Sequence, residues 1–423
     1  MYFIYTFFLT LGLALAAPWY LLRFRRYGQS FRDRLGRLKL PQLRKSIWVH
    51  AVSVGEVKAV QQLLEKLRAA YPDQALVLST VTLSGQQLAR ERKDVLDHVF
   101  YFPFDFPWAV RRTLDRVNPD VVIVAETEIW PNFLRACRER GIRVLMVNGR
   151  ISDRSLPRYR LIRSWLKRVL DDYTVLGMQS EIDRGRIEML GGNPDKAIVF
   201  GNLKYDALAT VRPLEPALAS VLKNRQPLWI AASTTPGEEE LILDAFAGLQ
   251  TRHPDLNLLI APRRPERFGE VEKLIGERGF TCVRRTSLQE ERAVIDRAYS
   301  SEVMLLDSIG ELAGAFEFST VVFMGGTLVP RGGHNVLEPA RFAKPIVFGP
   351  HMENFREISE IFLGANAAMQ VHGPDELGPA VSRMLTDASL AARLGSNARR
   401  VVEQNTGATN RVMAYLQPVE ARR

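Results

Sequence analysis

Thr320-Val321-Val322-Phe323-Met324-Gly325-Gly326-Thr327-Leu328-Val329-Pro330-Arg331-Gly332-Gly333-His334-Asn335, with Glu338 just beyond, is the stretch from which the fold is read. Its first half is an unbroken apolar, β-branched run, the pattern of a strand buried on both faces in a parallel sheet. Four glycines follow at the strand end, and they let backbone approach another group closely. Read as strand, glycine turn and helix, the segment predicts a cradle of backbone N–H groups for an anion, opening into a helix at His334. Glu338 then falls about one turn inside that helix. The plainer alternative is a set of loop turns with no ligand.

Outward from this stretch the same unit repeats. Pro227–Ala232, Leu256–Ile260, Val303–Leu306 and Pro345–Phe348 read as further buried strands beside it. An earlier set, Ser46–Val52, Ala75–Thr80, Val121–Ala125 and Val144–Val147, alternates with helical periodicity over Val57–Tyr71, Ser84–Arg92, Trp108–Arg116 and Asn132–Arg140. Alternating strands and helices predict an α/β fold with doubly wound parallel sheets. The 423 residues exceed what one core usually supports. The expectation is therefore two Rossmann-like domains, at 23–209 and 228–405, with a Pro-bearing linker at 210–227 and a C-terminal helix or tail at 406–423. Ligands of such domains bind outside the strand C-termini, here in a cleft that the two domains face.

Two cysteines, Cys137 and Cys282, form no framework, and six histidines show no zinc spacing. The reading is a reducing compartment, no metal and no cofactor. No G-x-G-x-x-G follows a strand and no G-x-x-x-x-G-K-[ST] is present, so dinucleotide and P-loop chemistry are disfavoured.

The net charge of +10 is unevenly placed. Residues 1–45 hold nine basic side chains, Arg23, Arg25, Arg26, Arg32, Arg34, Arg37, Lys39, Arg44 and Lys45, against one acid, Asp33. Met1–Leu22 before them is almost wholly apolar, long enough as a helix to match a hydrocarbon core of ~30 Å. Its charge follows the apolar run instead of preceding it, which argues for an anchor over a cleaved signal. Arginines after the segment hold the body on the cytoplasmic side and face anionic lipids, each adding roughly 1 kcal/mol of attraction. Pro18 leaves open a helix lying in the interface. This placement favours a membrane surface over nucleic acid as the partner of the basic run.

Strand ends supply the candidate chemistry. Ser53, Gly55 and Glu56 follow the first strand, and Glu126 and Glu128 in Glu126-Thr127-Glu128-Ile129-Trp130-Pro131-Asn132 end the third. Carboxylates at the end of a buried strand are costly unless solvated or paired, so they are expected to line a cleft; acids decorating a helix N-terminus are the structural alternative. Arg263 and Arg267 add positive charge at a strand end of the second half.

Together these stretches resemble 3-deoxy-D-manno-octulosonic acid (Kdo) transferases, glycosyltransferases of the two-Rossmann GT-B type. The likeness rests also on Asn148-Gly149-Arg150-Ile151-Ser152, Gly201-Asn202-Leu203-Lys204-Tyr205-Asp206, Pro262–Phe268, Gly310-Glu311-Leu312 and Gly349-Pro350-His351. It implies inverting, metal-independent transfer of Kdo from CMP-Kdo to a lipid A precursor at the inner membrane. By the same resemblance Ser233, Arg263, Gly310, Gly332, Gly333, Asn335 and Glu338 hold CMP, with Glu338 accepting from ribose hydroxyls. Ser53, Gly55, Glu56, Glu126, Arg150 and Lys204 bind sugar and acceptor, and Asp33 and Glu128 are catalytic. Asp33 stands in Arg32-Asp33-Arg34-Leu35-Gly36 where the family has glutamate as general base. Surrounded by arginines, it is expected to be ionised and weakened as a base. Thr235 and Arg264 stand where the family usually has histidine. Another GT-B enzyme using a UDP-sugar, or a non-catalytic lipid-binding module, are the rival readings.

Overall fold

The computed structural model describes residues 2–22, 30–153, 155–207, 213–289 and 302–416. Two compact units emerge, Met1–Ala209 with Asn405–Arg423, and Thr210–Gln404. In the first unit seven strands, β1 (Ser46–His50), β2 (Ala75–Thr80), β3 (His98–Tyr101), β4 (Pro119–Ala125), β5 (Arg143–Gly149), β6 (Val175–Met178) and β7 (Ala197–Val199), form one parallel sheet ordered β3-β2-β1-β4-β5-β6-β7. The order reverses between β1 and β4. Alternate residues of each strand feed two cores on opposite faces, Trp48, Val77, Val122 and Val144 into one, Val49, Leu78, Ile123 and Leu145 into the other. Trp48 is wholly buried among Phe100, Phe102 and Phe133, with ring centroids 5.1–5.9 Å apart. Each such ring contributes roughly 1.5–3 kcal/mol by leaving water.

The second unit repeats the plan with β8 (Leu228–Thr234), β9 (Asn257–Pro262), β10 (Thr281–Arg284), β11 (Glu302–Leu305), β12 (Val321–Met324), β13 (Ile346–Phe348) and β14 (Met369–Gln370), ordered β10-β11-β9-β8-β12-β13-β14 and again parallel. Its order reverses between β8 and β12. The strands read from apolar runs are present. Those missed, β3, β6, β7, β10 and β14, are short or lie at sheet margins with mixed composition.

Several local readings change. The helix expected over Val57–Tyr71 is two helices, Val54–Ala59 and Gln61–Ala70. Inside the stretch expected as a linker, Pro216–Asn224 is a helix burying Leu218, Val221 and Leu222. The C-terminal Ala408–Leu416 helix packs in the first unit, its Ala408, Val412, Met413 and Leu416 entering that core. Asp206 fixes it by accepting from Gly407 N at 2.6 Å and Thr409 N at 2.5 Å.

The N-terminal helix spans Tyr2–Leu22, but among the described residues no helix is long and apolar enough to cross a membrane. One stripe of the helix is docked. The Tyr2 hydroxyl donates to Asp172 Oδ2 at 2.7 Å, Thr6 Oγ1 accepts from Asn132 Nδ2 at 2.9 Å, and the Tyr5 ring lies 6.1 Å from Trp165. Phe3, Ile4, Phe7, Phe8, Leu11 and Leu15 are exposed on its other side. The spanning anchor is thus replaced by a helix with one face seated on the first unit. The Arg23, Arg25, Arg26 cluster lies outside the described residues.

Candidate active site

In the first unit the turns after β1 and β4, the two strands flanking the order reversal, bring three carboxylates together. Ser53 stands at the N-cap position of the Val54–Ala59 helix without a side-chain capping bond, and Glu56 folds back, accepting from Val52 N at 2.7 Å and Ser53 Oγ at 3.0 Å. Glu126 takes a left-handed conformation, φ +59°, which turns the chain sharply off β4. Lys204 Nζ stands 3.8 Å from Glu126 Oε1. Lys204 is itself placed by a relay: Leu203 N donates to Asn148 Oδ1 at 3.0 Å, and Asn202 Oδ1 caps Lys204 N at 3.0 Å.

Burial raises the Glu56 carboxyl to about 7, helped by the nearby Glu126 and opposed by its hydrogen bonds and Lys204. Burial likewise lifts Glu128 to about 7, with Glu56 and Glu126 adding. Two groups poised near neutrality beside one cation can donate to one oxygen and accept from another. Gly55 is exposed, and a Cβ there meets nothing closer than Ser53 Oγ at 3.8 Å, so the backbone is open to an incoming molecule. Arg150 is tied through its backbone, its N–H donating to Thr127 Oγ1 at 2.8 Å and its carbonyl accepting from the same hydroxyl at 2.5 Å.

Asp33 is placed elsewhere on the same sheet edge, at the end of β3. It is only 5% exposed and accepts from Tyr101 N at 3.3 Å. Its neighbour Arg34 donates to Val81 O at 2.6 Å and lies over the Tyr101 and Phe104 rings. The expectation of a depressed, weakly basic carboxyl is overturned: burial raises Asp33, and Tyr101 N–H, Arg90, Arg32 and Arg34 oppose that rise without cancelling it. Sequence proximity to arginines was visible, whereas the burial of Asp33 was not.

In the second unit the turns after β8 and β12 meet at the equivalent reversal. Gly325 is required there, since a Cβ would lie 2.6 Å from Ser233 O, and Ser233 itself is at φ +55°. The residue that organises this meeting, Glu238, was not singled out from sequence. Wholly buried, its carboxylate accepts from Gly326 N at 2.6 Å, Thr327 N at 2.9 Å, Leu328 N at 3.0 Å, Thr235 N at 3.0 Å and Thr235 Oγ1 at 2.9 Å. Gly325 N donates to Ala232 O and Gly333 N to Gly326 O, both at 2.8 Å.

The amides of Gly326, Thr327 and Leu328 are thus taken by the protein's own carboxylate, while the cradle expected from sequence at Gly332-Gly333 is a separate part of the turn, where Gly333 N is bonded to Gly326 O. The helix also begins at Leu337, not His334, and has four residues, which puts Glu338 in its first turn. Gly332 and Gly333, at φ +86° and +75°, lie against Asn354 and Met352. Asn335 Nδ2 donates to Glu338 Oε1 at 3.2 Å. Arg263 N donates to Thr234 O at 2.9 Å, which fixes its backbone at the end of β8 while its side chain is exposed. Arg267 is instead structural, paired with buried Glu239 at 2.5 Å and with Glu270 at 2.9 Å. Gly310, at φ +92°, lies in an exposed turn before Glu311, which pairs with Arg285 at 2.8 Å. Among the described residues no group of three or more His, Cys, Asp or Glu is disposed to hold a metal ion.

The chain is similar in sequence and fold to known proteins. Residues 29–207 match the family model described as 3-Deoxy-D-manno-octulosonic-acid transferase (kdotransferase). The 3-deoxy-D-manno-octulosonic acid transferase of Haemophilus influenzae is 34% identical over 403 residues, 93% of this chain and 92% of that protein. The crystal structure of the C-terminal CMP-Kdo binding domain of WaaA from Acinetobacter baumannii is 30% identical, covering 47% of this chain and 97% of that domain, with a TM-score of 0.40. A glycosyltransferase from Rickettsia africae shares the fold, with a TM-score of 0.54 at 14% identity over 88% of this chain and 98% of that one. With the 34% identical Haemophilus influenzae transferase matching along nearly its whole length, the chain belongs to the 3-deoxy-D-manno-octulosonic acid transferase family.

Proposed function

We propose that this enzyme transfers Kdo from CMP-Kdo to a lipid A precursor in lipopolysaccharide biosynthesis. Beside family membership, the observation that carries the reading is the set of titratable carboxyls on the C-terminal edge of the first sheet, Asp33 with Glu56, Glu126 and Glu128. Transfer needs an acceptor hydroxyl to lose its proton as it attacks the anomeric carbon, while the bond from that carbon to the CMP phosphate breaks on the opposite face. Asp33, raised by burial, takes the proton. Glu128, with Glu56 and Glu126, supports charge at the anomeric centre and accepts from sugar hydroxyls, and Lys204 and Arg150 meet the Kdo carboxylate.

In the second unit the donor is held by side chains. Arg263 neutralises the CMP phosphate, Ser233 and Asn335 donate to it, and Glu338 accepts from the ribose hydroxyls. Gly310, Gly332 and Gly333 shape the surrounding turns. The exposed Phe3, Ile4, Phe7, Phe8, Leu11 and Leu15 enter the lipid interface of the inner membrane on its cytoplasmic side, as an interfacial helix does. Product inhibition tests the donor: CMP should compete with the donor at concentrations where UDP does not, and equal or stronger inhibition by UDP would reject CMP-Kdo.

A further inference from the structure

The helix Pro107–Val117 and the segment 32–42 border an open, solvent-facing pocket of about 650 Å³ on the first unit, and four exposed guanidinium groups line it: Arg32, Arg37, Arg112 and Arg116. Gly36 makes the approach possible. It sits at φ +72°, and a Cβ there would fall 2.6 Å from Ala109 O and 3.0 Å from Arg112 Cβ. Any larger residue would lever the segment carrying Arg32 and Arg37 off the helix carrying Arg112 and Arg116. The two helix arginines are four residues apart and share one face. Arg112 is further ordered over the Trp108 ring, 5.5 Å from its centroid.

The acid in the pocket wall, Asp115, is bonded to Arg140 at 2.8 Å. Among the described residues no carboxylate lies in ion-pair reach of Arg32, Arg37, Arg112 or Arg116. Like charges gathered this way repel unless an anion joins them, and the planar fork of arginine matches a phosphate in bidentate fashion. The pocket also shares its segment with Asp33, whose carboxylate turns to Tyr101 N. Arg32 directly precedes Asp33 in the chain, and Arg37 follows it four residues later.

We propose that this pocket binds a phosphate monoester on the headgroup of the lipid acceptor, and that it positions the acceptor hydroxyl toward Asp33. The inference rests on the transfer reading above. It is tested with R112Q/R116Q, two exchanges on an exposed helix face, against R111Q on the same helix as control. Acceptor binding is first measured without donor, using the phosphorylated lipid and its dephosphorylated counterpart dispersed in detergent. Wild type and R111Q should prefer the phosphorylated lipid by about tenfold or more, equivalent to ~1.4 kcal/mol, and R112Q/R116Q should bind both alike. The same loss should appear in KM for the acceptor with KM for the donor unchanged. An undiminished preference in R112Q/R116Q would overturn the proposal. So would loss of binding to phosphatidylglycerol vesicles with acceptor affinity intact, which would assign the pocket to bilayer headgroups. Because binding is read without turnover, phosphate preference in an enzyme that fails to transfer Kdo would sustain the pocket while rejecting the transfer reading.

Discussion

Glu238 Oε2 accepts the Gly326 amide proton at 2.6 Å, and this bond ties the turn after β8 to the turn after β12. Glutamine at 238 keeps the shape but turns one acceptor into a donor facing N–H groups. A buried donor left without a partner costs ~1–3 kcal/mol. Glu238→Gln should lower stability in urea by about that amount and raise KM for the donor while leaving acceptor affinity unchanged. Equal losses for both substrates would mean that the turn does not shape the donor site specifically.

The Glu56–Glu128 pair sets a pH dependence. Both carboxyls rise from about 4.5 to about 7, so folding favours their neutral forms. Their contribution to stability is therefore complete below about pH 4.5 and is lost as pH rises toward 7, after which it is level. Glu128→Gln should flatten that decline, measured as urea midpoints at about pH 5 and about pH 8. A slope identical to wild type would show that Glu128 does not titrate as its burial implies.

On the proposed mechanism Glu56 also acts on catalysis through Glu128, which its charge helps to raise. In Glu56→Gln the midpoint of the pH profile of kcat/KM that belongs to Glu128 should move down. An unmoved profile would separate the two groups functionally.

Much of this was legible in the sequence. Buried strands are uninterrupted apolar runs, so β1, β4, β8 and β12 and the acid pair Glu126 and Glu128 can be read directly. Glu238 could not be, because nothing in Ser233-Thr234-Thr235-Pro236-Gly237-Glu238 marks a carboxylate whose partners lie about 90 residues away. A signal existed all the same: successive buried amides after a strand end need acceptors, and an acid in the partner turn can supply them. Asp33 failed for the complementary reason. Neighbouring arginines argue for a lowered carboxyl, but burial is a property of the fold and wins. The return of Ala408–Leu416 to the first unit depends likewise on a long-range cap by Asp206.

The docked stripe of the N-terminal helix gives a further test. Its outward side chains are apolar, so attachment to vesicles should withstand salt and yield to detergent. Release by salt alone would point to the arginines instead. Tyr2→Phe with Thr6→Val removes the bonds to Asp172 and Asn132, and should increase hydrogen exchange in residues 2–15 without lowering transfer from CMP-Kdo to detergent-dispersed acceptor.

Asp33→Asn preserves size and removes the proposed base. Loss of a positioned base typically costs 10²–10⁴-fold, so kcat should fall by roughly that factor with both KM values near wild type. Asp33→Glu, the residue usual in the family, should retain activity. Full activity in Asp33→Asn would take Asp33 out of the mechanism.

The most direct measurement is to incubate the purified enzyme with CMP-Kdo and the lipid A precursor and resolve the products by mass. The account predicts acceptor heavier by one or more Kdo units, with one CMP released for each. An acceptor of unchanged mass in the presence of intact CMP-Kdo, or one that gains a sugar only from a UDP donor, would contradict it.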